Sequence, residues 1–118
     1  MQGEMLSRLE EILKGIRVHI PDVRLYLLAF YPVNPKVGTN SFMYGVFQFR
    51  TNERICAANS GIRLLAKSYD AVYLDLNSGI TDSSGNLKME FTVEGMHMYA
   101  NGYKAVLDQL IPVLQELI

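Results

Sequence analysis

The sequence has no tryptophan, a single cysteine and no long hydrophobic run. With Cys56 alone, neither an intrachain disulfide nor a cysteine-based metal cluster can form. The longest unbroken apolar or aromatic stretch is Leu25–Tyr31, far below the ~20 residues that a membrane-spanning helix needs. An excess of one charge is lacking too: 11 Lys and Arg stand against 12 Asp and Glu, for a net charge of -1, with no block of either sign. Phosphate neutralisation calls for a basic patch or stripe, and a polybasic membrane anchor for a cationic cluster. The sequence shows neither, so no nucleic-acid partner and no membrane span are expected. The opening Met1-Gln2-Gly3-Glu4-Met5 has no basic leader and no apolar core, which predicts a cytoplasmic protein for the chain as written.

What is present fits one globular domain over residues 1–118, at 49% hydrophobic and 19% charged residues. Seven Tyr, five Phe and six Met are available to fill a core. Leu6, Leu9, Ile12, Leu13 and Ile16 recur at helical spacing, which predicts a helix from about Met5 to His19 ended by Pro21 and Asp22. Arg24–Tyr31 then reads as a strand buried on both faces of a parallel sheet, closed by Pro32 and Pro35. Val33–Arg50 is expected to be a long connection. Ile55, Ala58, Ile62, Leu65, Ala66 and Tyr69 mark a second helix starting near Thr51 or Asn52. Ala71–Leu76 is a second strand, Ser83-Ser84-Gly85-Asn86 a turn within another long connection, and Asn101–Leu117 a final helix. That helix is expected to turn Tyr103, Val106, Leu107, Leu110, Leu114 and Leu117 inward, with Pro112 kinking or shortening its end. Two apolar strands joined by a helix form a βαβ unit, so the fold class is α/β with a parallel sheet. Two strands make a thin sheet against the usual ~4–6.

The chemistry starts from two histidines. His19 ends the first helix, where the dipole favours a cation, and that is its expected role. His97 lies in the loop after the second strand, and ligands of parallel α/β sheets bind where strands lead into helices. Glu94, three residues earlier, can accept the Nδ1 proton of His97 and leave Nε2 free as a general base. A Glu-x-x-His pair also occurs as plain surface decoration, and the spacing alone does not separate the two readings. Cys56, beside the apolar stripe of its helix, reads as a small buried hydrophobe without cations to activate it. Met89, Met96 and Met98 read as apolar lining of the loop. Two distant histidines without a carboxylate cluster make no metal site, and no glycine-rich phosphate loop opens a helix, so neither metal nor cofactor is expected.

The stretch Thr92-Val93-Glu94-Gly95-Met96-His97, followed by Gly102-Tyr103 at the start of the last helix, resembles the C-terminal catalytic block of the SGNH hydrolases, the GDSL-like lipase/acylhydrolase family. That family typically reads Thr-x-Asp-Gly-x-His and then Gly-Tyr. Thr92, Gly95, His97, Gly102 and Tyr103 match, and Glu94 stands where the family has Asp. Upstream, Pro21-Asp22 before RLYLLAFYPVNP, Asn52-Glu53-Arg54-Ile55 with Asn59, and Tyr73-Leu74-Asp75-Leu76 are similar to the family's strand, next helix and last strand. The Gly-Asp-Ser nucleophile block and the Gly-x-Asn-Asp block are absent from the sequence. Gly38-Thr39-Asn40-Ser41 imitates the latter but falls after the strand that should follow it, and reads as a loop.

The resemblance implies the C-terminal part of a flavodoxin-like, three-layer α/β/α SGNH-type domain, with two strands and flanking helices. It implies a serine ester hydrolase in which His97 is the general base and Glu94 orients it, with Asp75 and Asp82 as alternative acids. The substrate would be a small-molecule ester or an acylated molecule. Without nucleophile and oxyanion donors, these residues alone are expected to be inactive. The rival reading is a truncated or degenerate α/β interaction module. In either case the open sheet is expected to be covered, by a second copy in a homo-oligomer or by pairing with an N-terminal portion.

Overall fold

Leu6, Leu9, Leu13 and Ile16 lie one turn apart, and the helix they build, α1, spans Gln2–His19. It starts earlier than the apolar pattern alone indicates. The computed structural model describes residues 2–38 and 40–117; Thr39, within the Gly38–Ser41 stretch discussed above, lies outside them. The elements that follow are β1 (Tyr26–Leu28), α2 (Ser41–Phe47), α3 (Asn52–Ser68), β2 (Val72–Leu74), a single 3-10 turn (Met89–Phe91) and α4 (Ala100–Leu117). β1 and β2 pair in parallel, with Tyr26 opposite Val72 and Leu28 opposite Leu74. Among the described residues this gives an α/β fold of two parallel strands and four α-helices, none long and apolar enough to cross a membrane. Internal contacts divide the chain into two compact units. One holds the residues up to Phe30 with Cys56–Asp75, the other Tyr31–Ile55 with the residues from Leu76 on.

In the first unit Leu13, Ile62 and Ala66 are almost fully buried. Gly61 sits so close to Leu6 that any side chain there would push against it. The Arg17 guanidinium joins the chain ends of this unit: Nε donates to the carbonyl of Tyr69 at 2.8 Å, Nη2 to that of Asp70 at 2.9 Å and Nη1 to that of Val23 at 2.7 Å. Asp70 takes the left-handed conformation (φ 55°), and the Ala71 N–H returns to the Ala66 carbonyl at 2.7 Å, which closes the C-terminus of α3. Tyr69 donates its hydroxyl to Glu10 at 2.7 Å, and that hydrogen bond to a carboxylate is the main reason its phenol is pushed up in pKa. After β1, the side chain of Asn59 accepts the Phe30 N–H at 2.8 Å and donates to the Phe30 carbonyl at 3.2 Å.

The second unit repeats that device. Asn52, at the start of α3, accepts the Val33 N–H and donates to the Val33 carbonyl, both at 2.8 Å, and reaches Asn86 at 2.9 Å. Val33, Met43, Phe47 and Ile55 form its core, with Val46 and Met96 packed against them. Ile80 and Leu87 are fully buried beneath a turn in which the Asp82 carboxylate accepts the N–H groups of Ser84 and Asn86, both at 2.9 Å, and Gly85 supplies a positive φ.

Four sequence expectations need correction. The Val33–Arg50 connection contains a helix, α2, because Asn40 Oδ1 caps it through the Met43 N–H at 2.8 Å and Met43 and Phe47 then fall on one buried face. A helix of two turns holding Gly45 carries too little periodicity to be read from the sequence. Both strands are shorter than their apolar runs, and Leu28 and Val72 remain 49% and 48% exposed. In α4 only Gly102 and Val106 are buried; Tyr103 is 52% exposed, and Leu107, Leu114 and Leu117 are exposed as well. Pro112 lies within that helix, which continues to Leu117. Cys56 is exposed, not packed, because Ile55, Ala58, Ile62 and Ala66 occupy the buried stripe of α3.

The Asn52 clamp yields a direct expectation. Val33 is buried, so in Asn52→Ala its N–H loses its partner away from water. A loss of about 1–3 kcal/mol of stability is expected, read as a lower urea midpoint with unchanged slope.

Candidate active site

The residues Thr92–Met98 form one tight loop held by its own side chains. Thr92 and Met98 pair in an antiparallel bridge, and the Val93 N–H reaches the His97 carbonyl at 2.9 Å. The buried Thr92 hydroxyl donates to the same carbonyl at 2.8 Å and accepts the Gly95 N–H at 2.9 Å. Gly95 then takes φ +104°, a conformation that side chains with a Cβ rarely adopt. Its carbonyl accepts the Asn34 N–H at 2.7 Å, and a Cβ at this position would run into the Asn34 carbonyl and the Phe47 ring. Gly38 is confined in the same way: a Cβ there would stand 2.6 Å from the Glu94 carbonyl. Asn34 is itself buried, its amide donating to the Leu87 carbonyl at 2.8 Å and its side-chain oxygen accepting the Lys36 N–H at 3.1 Å.

This loop brings Glu94 and His97 together. Glu94 Oε2 lies 2.7 Å from His97 Nδ1, and Oε1 accepts the N–H groups of His97 at 2.6 Å and Met96 at 3.1 Å. Partial burial disfavours the carboxylate, but the His97 N–H, the His97 ring and the Met96 N–H outweigh it and hold the Glu94 carboxyl below its ordinary range. An ionised carboxylate can only accept, so Nδ1 carries the proton and Nε2 of the neutral ring keeps its lone pair. The His97 side chain is 66% exposed and that of Glu94 26%, so the ring faces solvent while its partner is half covered. Chemically the pair is an oriented imidazole able to take a proton from a group placed against Nε2.

The other candidates lie elsewhere. Asp82 is committed to its turn, and Asp75 and Cys56 are exposed in the first unit. His19 closes α1. Of the three methionines, Met98 is buried, Met96 packs on the second unit's core and Met89 is exposed. Among the described residues no three His, Cys, Asp or Glu side chains gather as a metal site. Sequence reasoning missed the positioning part of Asn34. Its one signal is an asparagine set between two prolines directly after a strand, a place where the side chain must satisfy the backbone.

No protein-family model matches the sequence, and no curated relative does. Solved structures do. A protein described as a candidate platelet activating factor from Streptococcus pneumoniae superposes with a TM-score of 0.83 at 30% identity, over 96% of this chain and 51% of its own. A candidate acylhydrolase from Bacteroides fragilis gives 0.74 at 12% identity, over 99% and 53%. A GDSL-like lipase from Bacteroides thetaiotaomicron gives 0.73 at 11%, over 100% and 54%. The last two show the fold alone. The chain spans about half the length of each. The class is thus an α/β fold with a parallel sheet, matching these three structures. Within that class, the similarity is to the SGNH, GDSL-like hydrolases, and the half-length coverage is consistent with a C-terminal portion of such a domain.

Two outcomes follow from the loop. Gly95→Ala should lose about 2 kcal/mol or more, from the positive φ together with the blocked Cβ, seen as a reduced melting temperature. The lowered Glu94 pKa means that the unfolded state binds this proton more readily than the folded one. Its stabilisation is therefore complete above the ordinary value of 4.5 and lost as pH falls below it through the folded value. Amide exchange at Met96 and His97 should accelerate over that acid range, and Glu94→Gln should flatten the dependence.

Proposed function

We propose that this chain supplies the histidine and acid of an SGNH-type ester hydrolase. Glu94 orients His97 and stabilises the imidazolium; His97 Nε2 takes the proton of a serine nucleophile as its oxygen attacks the ester carbonyl. The same nitrogen then returns that proton to the leaving alcohol, and water discharges the acyl-serine by the reverse sequence. The serine and the oxyanion donors belong to a segment outside this sequence, since no Gly-Asp-Ser or Gly-x-Asn-Asp occurs in it. The observation that carries the reading is the 2.7 Å contact from Glu94 Oε2 to His97 Nδ1, on a loop shaped by Thr92 and Gly95. Glu94 serves in place of the more usual aspartate because its longer side chain is pulled back by two backbone N–H groups.

The test is hydrolysis of p-nitrophenyl acetate. Alone, the chain should match its His97→Ala variant. Joined to a GDSL-like segment bearing the two missing blocks, it should turn over ester. His97→Ala should then cost about 10³-fold or more and Glu94→Ala less, as in other triads. Equal rates for the joined protein and its His97→Ala variant would leave an interaction module as the better reading.

A further inference from the structure

Apolar spacing does not announce α2, yet the buried face of that helix bears on the candidate site. Met43 and Phe47, one turn apart, are its buried residues. A Cβ on Gly38 would meet the Phe47 ring at Cε2, the Glu94 carbonyl at 2.6 Å and Met43 Cβ at 2.9 Å. A Cβ on Gly95 would meet Phe47 Cζ at 2.8 Å, as well as the Asn34 carbonyl. Cε2 and Cζ are neighbouring atoms of one ring edge, so a single edge bears on both glycines. The Glu94–Gly95 peptide lies at the same place, with its carbonyl oxygen against Gly38 and Gly95 as its second residue. A planar peptide turns only as a unit, and the ring stands where this one would have to turn.

We propose that Phe47 is a positioning residue for the Glu94–His97 pair: its ring edge, set against Gly38 and Gly95, fixes the peptide from which the Glu94 carboxylate is aimed. The catalytic meaning of that aim rests on the triad reading given above. The aim is demanding. Glu94 Oε1 accepts the His97 N–H at 2.6 Å and the Met96 N–H at 3.1 Å, while Oε2 lies 2.7 Å from His97 Nδ1. A productive constellation tolerates only about 0.5 Å of error. Glutamate has one more rotatable bond than aspartate, so the backbone behind it has more to hold. Leucine at residue 47 would end before the atoms that correspond to Cε2 and Cζ, and would reach neither glycine. The rival reading is plain core filling, since Phe47 is 9% exposed and packs with Val33, Met43 and Ile55. That role needs apolar volume alone and predicts lost stability with an unchanged pair. A ring edge on two glycines predicts that the pair itself changes.

The experiment follows the His97 ring by nitrogen NMR in the full chain, at a pH where the ring is neutral. The proton should sit on Nδ1, because Glu94 accepts it there, and Glu94→Ala gives the limit of a ring without that partner. Phe47→Leu should raise the fraction with the proton on Nε2 severalfold, toward that limit. Ile55→Val trims the same core, but no Ile55 atom is among the three nearest to either Cβ position, and it should leave the tautomer unchanged. Phe47→Met conserves volume, serves if Phe47→Leu does not fold, and should shift the tautomer the same way. In the protein joined to a GDSL-like segment, Phe47→Leu should lower kcat about tenfold with KM little changed, because misplacing a catalytic group costs rate rather than substrate binding. An unchanged tautomer in the Phe47 variants overturns the proposal, and so does an equal shift in Ile55→Val. A joined protein without His97-dependent turnover sinks the triad reading alone, since the tautomer is read without substrate.

Discussion

The carbonyl of Gly95 meets the N–H of Asn34 at 2.7 Å, and the absence of a Cβ at residue 95 is what lets the two backbones come so close. The candidate site depends on that approach. It seats the Thr92–Met98 loop on the Val33, Phe47 and Ile55 core, and the positive φ it requires reverses the chain so that residue 97 returns over residue 94. The Thr92 hydroxyl then serves both sides of the reversal, accepting from Gly95 and donating to His97. A histidine with a packed, hydrogen-bonded backbone has few ways to place its ring, and Glu94 removes most of those that remain.

Asparagine does much of the joining in both units. Asn59 and Asn52, two helical turns apart on α3, each present an amide to the N–H and C=O of one residue, Phe30 in the first unit and Val33 in the second. An amide side chain is the one group that reproduces a strand's donor and acceptor together. It ends a strand without leaving its backbone unpaired, and Asn34 does similar service for the Leu87 carbonyl and the Lys36 N–H. Buried backbone groups left without such partners cost more than the hydrogen bonds themselves contribute, so Asn52 at buried Val33 and the buried Asn34 matter most, whereas the Asn59–Phe30 pair is exposed.

Much of this was legible beforehand. The helices α1, α3 and α4 follow from apolar spacing, and the parallel pairing follows from two apolar runs separated by a helix. The Thr-x-Glu-Gly-x-His spacing already places a carboxylate one turn from an imidazole, and the resemblance to SGNH hydrolases rests on those same residues. What was not legible shares a cause. Short α2 depends on a cap at Asn40 and on two buried side chains, Met43 and Phe47, whose burial is a property of the packed unit. The exposure of Cys56 depends on how far the buried face of α3 extends around the helix, and that face stops at Ile55, Ala58, Ile62 and Ala66.

The amino-acid sequence by itself determined the periodic elements, the strand direction and which residue types stand near one another in the loop, because these depend on spacing along the chain. Only the tertiary structure decided that Gly95 has to be glycine, that Asn34 supports the loop and that Glu94 bonds Nδ1 of His97 and two backbone N–H groups at once. Such facts depend on distances between segments far apart in sequence, and local propensity carries no information about them.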